Sequence, residues 1–398
     1  MSQSVTPLTT SFADSRPHYL ILDGLRGTAA LLVLVYHVFE GLAFAGGDTT
    51  PIWGINHGYL AVDFFFILSG FVIGYAYDDR LRTGRLTVRG FIRRRLIRLH
   101  PMIIAGAVIG AVAFFAGGGT KWDGTHVTTS LVMLSLLCAL FMIPQVPGSP
   151  ADVRGNGEMY PLNGPSWSLF FEYIGNLLYV LLIHRLPTRV LGVLTVVAGV
   201  ALGWFALADL SGYGMLGVGW TLDTVNFAGG MLRMLFPYLL GMYLARRFVH
   251  KPAVSGAVGA CRQGVRGWFW IASVWLLALF LVPYIDGKTP VCWNGAYELF
   301  CIVVVFPAIV WIGAATPLDN GLSRRCCDFM GRLSYPLYAV HYPVMYVFYQ
   351  WLIAHETYTL AGSWPQALLA VGVSIVLALV ALKCYDEPFR RWLSRKWK

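Results

Sequence analysis

Residues 58–101 read GYLAVDFFFILSGFVIGYAYDDRLRTGRLTVRGFIRRRLIRLHP, a hydrophobic run followed at once by a strongly basic one. The apolar part, 58–77, is long enough to cross a hydrocarbon core about 30 Å thick as one helix. The basic part contains eight arginines, namely Arg80, Arg82, Arg85, Arg89, Arg93, Arg94, Arg95 and Arg98. Arginine collects at the cytoplasmic ends of membrane helices. This stretch therefore predicts a membrane helix that ends in the cytoplasm.

The composition agrees with a membrane protein. Of the 398 residues, 57% are hydrophobic and 13% are charged, and the formal net charge is +10. The charged share is about half that of an ordinary soluble domain. We therefore exclude a doubly wound nucleotide-binding fold, a secreted disulfide scaffold and, despite the positive charge, a nucleic-acid binder. The seven cysteines lack the spacing of zinc ligands, so we expect neither a metal site nor a disulfide framework.

Eleven apolar segments follow one another along the chain, and we expect each to form a helix. They lie near 25–45, 58–77, 100–117, 128–144, 165–184, 189–209, 227–245, 268–285, 296–315, 333–353 and 365–385. The predicted fold class is an all-α, polytopic transmembrane bundle. Residues 1–398 are expected to form a single membrane-embedded domain, with no soluble domain at either end.

The distribution of basic residues predicts the orientation of the bundle. The stretches 80–101, 246–266 and 390–398 are basic and should be cytoplasmic, whereas 45–57, 210–226 and 286–298 are almost free of Lys and Arg and should face outward. Both termini are then cytoplasmic, which requires an even number of crossings. One of the eleven segments must be re-entrant or interfacial, and the short segment 128–144 is the best candidate. We therefore expect about ten crossings.

Arg26 and His37 are ionisable residues in the first predicted helix, and such residues within membrane spans are candidates for function. They are eleven residues apart, so they share one helix face with a rise of roughly 16 Å. An imidazole near the bilayer centre is suited to act as a general base. The alternative is a snorkelling arginine and a histidine in an interhelical hydrogen bond. Asp63 could orient His37, or it could bridge to an arginine or a backbone group.

Polar residues of two other predicted helices could line a shared cavity. Ser168 and Glu172 are four residues apart on one face, and the predicted topology places Glu172 in the outer half of the membrane, where it could orient His37. Trp167 could stack on a sugar ring or anchor the helix at the membrane interface. The stripe of Ser334, Tyr338 and His341 could line the same cavity or form an interhelical network. Ser69 lies among small residues that would let a helix or ligand approach.

The arginine run 93–98 has two interpretations. Guanidinium groups bind phosphate well, which indicates a phosphate-bearing molecule in the cytosol. Membrane topology, anionic lipid headgroups and genomic base composition are the alternatives.

Five motifs in order give the chain a family resemblance. They are Arg26 with His37, then GYLAVDFFFILSGF, RRRLIRLHP, PSWSLFFE and SYPLYAVHYPV. In these motifs the chain resembles the acyltransferase family 3 membrane proteins, which transfer acyl groups to extracytoplasmic carbohydrates and related acceptors. The resemblance implies about ten helices, cytoplasmic termini and a cytoplasmic acyl-CoA donor. It implies that Arg26 and His37 are the essential pair of the first helix. It also implies functional roles for the residues in the other matching motifs, namely Asp63, Glu172, Arg93, Arg94, Arg95 and Arg98.

Together these observations predict an integral O-acyltransferase of a bacterial inner membrane. It would transfer an acyl group, foremost acetyl, from acyl-CoA to a hydroxyl of an extracytoplasmic or lipid-linked carbohydrate, with His37 as general base. Direct attack and an acyl-histidine intermediate remain alternatives. The expected partners are membrane lipids, acyl-CoA, the carbohydrate acceptor and polysaccharide-assembly proteins, with no permanently bound cofactor or metal. A glycan or lipid flippase is the alternative function, although the chain lacks paired broken helices in matching halves.

Overall fold

The computed structural model describes residues 19–47, 54–249, 265, 267–318 and 321–397, and the regular elements in this part of the chain are helical. The helices are α1 (Leu20–Gly46), α2 (Ala61–Arg82), α3 (Val88–Ala116), α4 (Thr129–Leu140), α5 (Ser166–Leu181), α6 (Thr188–Leu207), α7 (Thr224–Val249), α8 (Trp268–Leu281), α9 (Trp293–Phe300), α10 (Phe306–Ala315), α11 (Leu322–Ala354), α12 (Leu360–Val380) and α13 (Glu387–Lys396). Short π-helical turns connect α9 to α10 and α12 to α13.

A helix occupies each of the eleven predicted apolar segments, which confirms the all-α prediction. Two helices begin well before the predicted position: α3 at Val88 rather than 100, and α11 at Leu322 rather than 333. Arginine favours helix, and the Thr87 side chain caps α3 by accepting the Gly90 N–H at 3.0 Å. Most of the arginine run is therefore helical, and only a short turn separates it from α2.

The lengths and surfaces of these helices identify a multi-pass membrane protein. Among the described residues, seven stretches are long and apolar enough to cross a membrane. The outer faces of α6 and α12 expose large apolar side chains such as Val200 and Leu369, which would face lipid. The helices α4 and α8 have 12 and 14 residues, or about 18 and 21 Å, and both are shorter than a hydrocarbon core about 30 Å thick. The length of α4 fits the prediction for 128–144, while the crossing number and the orientation stay predictions. Most of the basic stretch 246–266 lies outside the described residues.

The centre of the bundle is built by two close helix pairs, α1 with α11 and α2 with α7. A Cβ atom at Gly70 of α2 would overlap the backbone carbonyl of Tyr238 in α7, so the contact needs glycine there. The same pair is fastened by a fully buried ion pair, in which Arg233 Nη2 lies 2.6 Å from Asp63 Oδ2. This close packing brings α3 and α5 against the pairs, leaving cavities along the bundle axis.

Candidate active site

One cavity, of about 100 Å³, lies among α1, α2, α3, α5 and α11 and is lined by three arginines. We call it the basic cavity. Its polar lining residues are Asp23, Arg26, Ser69, Arg95, Arg98, Ser168, Glu172, Ser334, Tyr335 and Tyr338. Arginine side chains in a partly apolar cavity suit a ligand that carries both phosphate and an uncharged chain.

Two of these arginines are held by neighbouring groups. Arg26 donates from Nε to Ser334 Oγ at 2.9 Å and lies 3.3 Å from Asp23. Arg95 pairs with Glu172, whose carboxylate also accepts the Ser69 hydroxyl at 3.0 Å. Arg98, in contrast, forms no hydrogen bond or ion pair with a described residue. Its guanidinium is therefore the one in this lining best able to bind an added anion.

The other two predicted arginines lie apart from the basic cavity. Neither Arg93 nor Arg94 lines it. The Arg93 guanidinium carbon instead lies 5.5 Å from the centre of the Trp397 ring, near the C-terminal helix α13. The structure thus places Arg93 beside Trp397, whereas Arg95 and Arg98 line the basic cavity.

A second cavity, of about 310 Å³, lies beyond the first along α1 and α11. We call it the aromatic cavity. Its rings come from Tyr36, Phe44, Tyr59, Trp122, Trp167, Trp220, Tyr338, Tyr342, Tyr346 and Tyr349, and its other polar residues are His37, Glu40, Asn156, Glu158 and Arg233. Many rings and few charges are typical of a site for a polar organic molecule with flat apolar faces.

His37 is oriented by a carboxylate on its own helix. Its Nδ1 lies 2.6 Å from Glu40 Oε2. A carboxylate accepts, so Nδ1 carries the proton and Nε2 keeps a lone pair for another group. Tyr36 donates to Glu40 at 3.2 Å, and the Tyr349 hydroxyl, which donates to the His37 carbonyl at 2.7 Å, also lies 3.2 Å from Glu40 Oε2. The pair thus has the geometry of a general base and its orienting acid.

His341 packs against His37 but does not line either cavity. The two rings are stacked with centroids 5.2 Å apart. His341 Nδ1 lies 3.0 Å from the carbonyls of Leu337 and Tyr338, so it must donate to them. The remaining nitrogen, Nε2, is buried without a partner among the described residues. His341 therefore serves as a neutral packing surface for His37.

Val62 and Tyr338 line both cavities, and we call this shared boundary the neck. The Tyr338 hydroxyl lies 2.6 Å from Ser168 Oγ, which fixes the ring on α11 against α5. Any group that moves between the cavities must pass these two side chains.

Two acids predicted to orient His37 have other partners, and the predictions of that contact are wrong. Asp63 is fully buried and uses both oxygens to bind Arg233. This pairing is the alternative that the sequence left open. Glu172 lines the basic cavity beside Arg95 rather than the cavity of His37, because α5 carries it past the neck.

The remaining predicted residues divide between the cavities. Ser69 and Ser168 line the basic cavity, and Trp167 lines the aromatic cavity. The Arg233 guanidinium carbon lies 5.3 Å from the centre of the Trp167 ring. Arg233 Nη1 also donates to the Val218 carbonyl at 2.8 Å, so the buried ion pair supports this side of the aromatic cavity.

The sequence analysis did not assign roles to several residues of the aromatic cavity. Glu40 is an ionisable residue of the first predicted helix, and its contact with His37 could have been predicted, because it is three residues after His37 and shares its face. Tyr342, Tyr346 and Tyr349 extend the stripe of Tyr338 along α11. Glu158 could not have been found, since it lies on the loop between α4 and α5, where spacing carries no information about contacts. Burial raises the pKa of Glu158 to about 7.

The chain is similar in sequence to proteins that are named as acyltransferases. The chain is 27% identical to the acyltransferase MdmB of Streptomyces mycarofaciens, across 94% of this chain and 92% of that protein. It is 23% identical to the O-acetyltransferase OatA of Staphylococcus aureus across 94% of its length, which corresponds to 58% of OatA. It is also 33% identical to protein 2 in the picA locus of Rhizobium radiobacter over 40% of the chain and 80% of that protein. No solved structure matches the chain.

A family model also matches most of the chain. The family model described as the acyltransferase domain, that of acyltransferase family 3, matches residues 19–383. That range contains both cavities and the neck. The chain is therefore a multi-pass membrane protein of acyltransferase family 3.

Proposed function

We propose that the chain transfers a short acyl group, such as acetyl, from acyl-CoA on the cytoplasmic side of a bacterial inner membrane to a carbohydrate hydroxyl on the outer side. The observation that carries the proposal is the pair of cavities: arginines line one, His37 and Glu40 line the other, and Val62 and Tyr338 belong to both. A donor and an acceptor can therefore approach one neck from opposite ends.

The basic cavity would hold the donor. Arg98, with Arg26 nearby, would bind the phosphates of CoA, and the pantetheine arm would lie along the apolar walls towards the neck. Arg26 and His37 are eleven residues apart on one helix, which is a rise of roughly 16 Å. An extended pantetheine arm suits a span of that order.

His37 would catalyse the transfer as a general base. Its Nε2 removes the proton of the acceptor hydroxyl while the oxygen attacks the thioester carbon. The carbon–sulfur bond then breaks, and the proton passes from His37 to the departing thiolate. The products are an ester and free CoA thiol. Glu40 stabilises the imidazolium that forms between these two proton transfers.

The topology of ten crossings belongs to the same proposal. The helices α5, α8 and α11, added to the seven long apolar stretches, make ten and leave α4 as the segment that does not cross. Both termini would then be cytoplasmic, and the arginine-rich start of α3 would face the cytosol.

Thiol release by purified protein tests the proposed function. With acetyl-CoA and a panel of neutral glycosides, the protein should release thiol only when an acceptor is present. The variant His37→Gln should be slower by about 100-fold or more. His355→Gln is the matched control, because His355 is exposed at the end of α11.

Two results would contradict the proposal. One is a His37→Gln protein that releases thiol at the rate of the His355→Gln control. The other is movement of a glycan across vesicle membranes without thiol release, which would identify a carrier instead.

A further inference from the structure

The aromatic cavity extends beyond His37 and has a second polar end. Glu40 and Glu158 lie at its two ends, and Tyr342 and Tyr346 connect them. Tyr342 donates to Glu40 at 3.4 Å and Tyr346 donates to Glu158. These tyrosines are four residues apart on α11, so their Cα atoms are about 6 Å apart along the helix axis.

Two residues that line the far end each have a buried polar atom with no partner among the described residues. Trp122 Nε1 and Asn156 Oδ1 are buried and have no hydrogen-bond partner in the described part of the chain. Both residues line the cavity. Unsatisfied buried polar atoms are costly, and those in a binding site are normally satisfied by ligand or water. Here one atom is a donor and the other an acceptor, as a sugar hydroxyl requires.

Glu158 adds acceptor capacity at the same place. It accepts from Asn156 Nδ2 at 3.1 Å and from the Tyr346 hydroxyl, which leaves a lone pair on each carboxylate oxygen. The Trp122 and Tyr346 rings, with centroids 5.9 Å apart, provide apolar surface next to these groups. Flat rings beside hydrogen-bonding groups match the alternating faces and hydroxyls of a sugar ring.

The charges around the cavity disfavour an anionic ligand. Its lining contains two carboxylates, Glu40 and Glu158, and its one arginine, Arg233, is occupied by Asp63. Arg154, whose Nη1 and Nη2 are buried without partners among the described residues, does not line the cavity, and its guanidinium carbon stacks 3.6 Å from the centre of the Tyr346 ring. A uronate or phosphate on the acceptor would therefore meet two carboxylates in the cavity lining, whereas the unpaired cation, Arg154, lies outside that lining.

From this placement we propose that Trp122, Asn156 and Glu158 form a second sugar-binding subsite, and that the acceptor is an uncharged glycan with at least one ring beyond the acylated one. The inference rests on the proposed function, because it treats the aromatic cavity as the acceptor site. The ring that carries the reacting hydroxyl lies at His37, and the next ring lies between Trp122 and Glu158.

Calorimetric titration of the full-length protein in lipid nanodiscs tests the subsite without acyl-CoA. The probes are neutral hexose disaccharides and the same disaccharides with one ring oxidised to the uronate. We expect saturable binding of a neutral disaccharide and binding about tenfold weaker, or more, for its uronate. In Glu158→Gln that difference should shrink to within about threefold, because one carboxylate is gone.

A tryptophan variant tests the hydrogen bond separately. Trp122→Phe keeps a ring but removes the N–H, and it should weaken binding of the neutral disaccharide by about tenfold. Trp364→Phe is the matched control, because Trp364 is exposed on α12. Melting temperatures of both variants show whether each is folded.

The outcomes separate this inference from the proposed function. A uronate that binds as tightly as its neutral partner, a Trp122→Phe protein that binds like the Trp364→Phe control, or no binding by any disaccharide would overturn the subsite. Acceptor-dependent thiol release would still stand in each case. Loss of thiol release with selective disaccharide binding retained would instead overturn the proposed function.

Discussion

At the residue scale, the chemistry depends on the contact between His37 and Glu40. A carboxylate at 2.6 Å from Nδ1 sets the tautomer and stabilises the charged imidazole that appears during transfer. The tyrosine hydroxyls on Glu40 hold this geometry before substrate arrives. This arrangement makes Glu40 a positioning residue.

Replacing Glu40 by Gln should lower kcat by on the order of 100-fold and change the KM values little, because substrates do not bind through this carboxylate. Glu40→Asp should recover part of the loss. Steady-state kinetics of thiol release measure both values, and Glu356→Gln, on an exposed turn, is the control. A Glu40→Gln enzyme with an unchanged kcat would remove Glu40 from the mechanism.

The arginines of α3 should differ in their effect on the donor. Arg98→Gln should raise KM for acetyl-CoA by about tenfold, because Arg98 faces the basic cavity with free donors. Arg93→Gln, which changes a side chain outside that cavity, should leave KM unchanged. An acetyl-pantetheine donor, which lacks the nucleotide phosphates, should react equally well with wild type and Arg98→Gln. Equal KM effects of the two substitutions would argue against the assigned phosphate site.

The selection against uronates should depend on pH through Glu158. Its raised pKa, about 7, means that the carboxyl is largely neutral below pH 7 and charged above it. Tyr346 and Asn156 donate to Glu158, Arg154 and Glu40 are its charged neighbours, and His37 lines the same cavity. The ratio of uronate to neutral-disaccharide Kd should therefore rise between about pH 6 and pH 8. In Glu158→Gln the ratio of the two Kd values should not change with pH, which separates the effect of Glu158 from that of His37. A ratio that does not change with pH in the wild-type protein would contradict the assignment of Glu158 to the subsite.

The sequence predicted His37 but not its partner, and the reason is physical. Arg26 and His37 are recognisable because helix periodicity places them on one face. The partner of Asp63 is Arg233, 170 residues away, and no local pattern specifies that pairing. Because Arg233 binds Asp63 of α2, that acid does not pair with His37. The acid that contacts His37 is Glu40, on the same helix.

At the scale of elements, α2, α5 and α11 together form the neck. Val62 comes from α2 and Tyr338 from α11, and Ser168 of α5 holds the tyrosine in place. In the proposed mechanism the acyl group has to pass between these side chains. Acyl selectivity should therefore depend on the neck more than on the wider cavities.

Val62→Ala should widen the neck and raise the rate with butyryl-CoA relative to acetyl-CoA by about five- to tenfold, since each methylene in a pocket is worth about 1–3 kcal/mol. The ratio of kcat/KM for the two donors is the measurement. Val200→Ala makes the same change on the exposed face of α6 and should leave the ratio as in wild type. If Val62→Ala also leaves the ratio of kcat/KM for the two donors as in wild type, the neck does not select the acyl group.

The positions of the helices were largely predictable, because an apolar stretch of about 20 residues is long enough to cross the membrane as a helix. The early start of α3 was not, since a run of arginines resembles a loop by hydropathy although it favours helix. This early start matters for function, because it makes the arginine run helical. Arg95 and Arg98 line the basic cavity, whereas Arg93 lies beside Trp397.

At the scale of the whole molecule, two cavities meet near the middle of a helical bundle. The basic cavity is enclosed by helices alone, whereas the aromatic cavity is completed by the loops that contain Trp122, Glu158 and Trp220. Met159 N–H donates to the Trp220 carbonyl at 2.8 Å, which joins two of these loops. Loop placement of this kind depends on long-range contacts, so the sequence predicted polar helix faces but not the shape of the acceptor site.

The central claim is that the acyl group passes through the neck from one side of the membrane to the other, and reconstitution with defined sides tests it most directly. Proteoliposomes of one orientation would hold acetyl-CoA only on the side of the α3 arginines and a neutral disaccharide only on the opposite side. We predict acetylated disaccharide in the acceptor compartment, an equal amount of thiol in the donor compartment, and loss of both in His37→Gln. Product formed only when both substrates share a compartment would contradict the account.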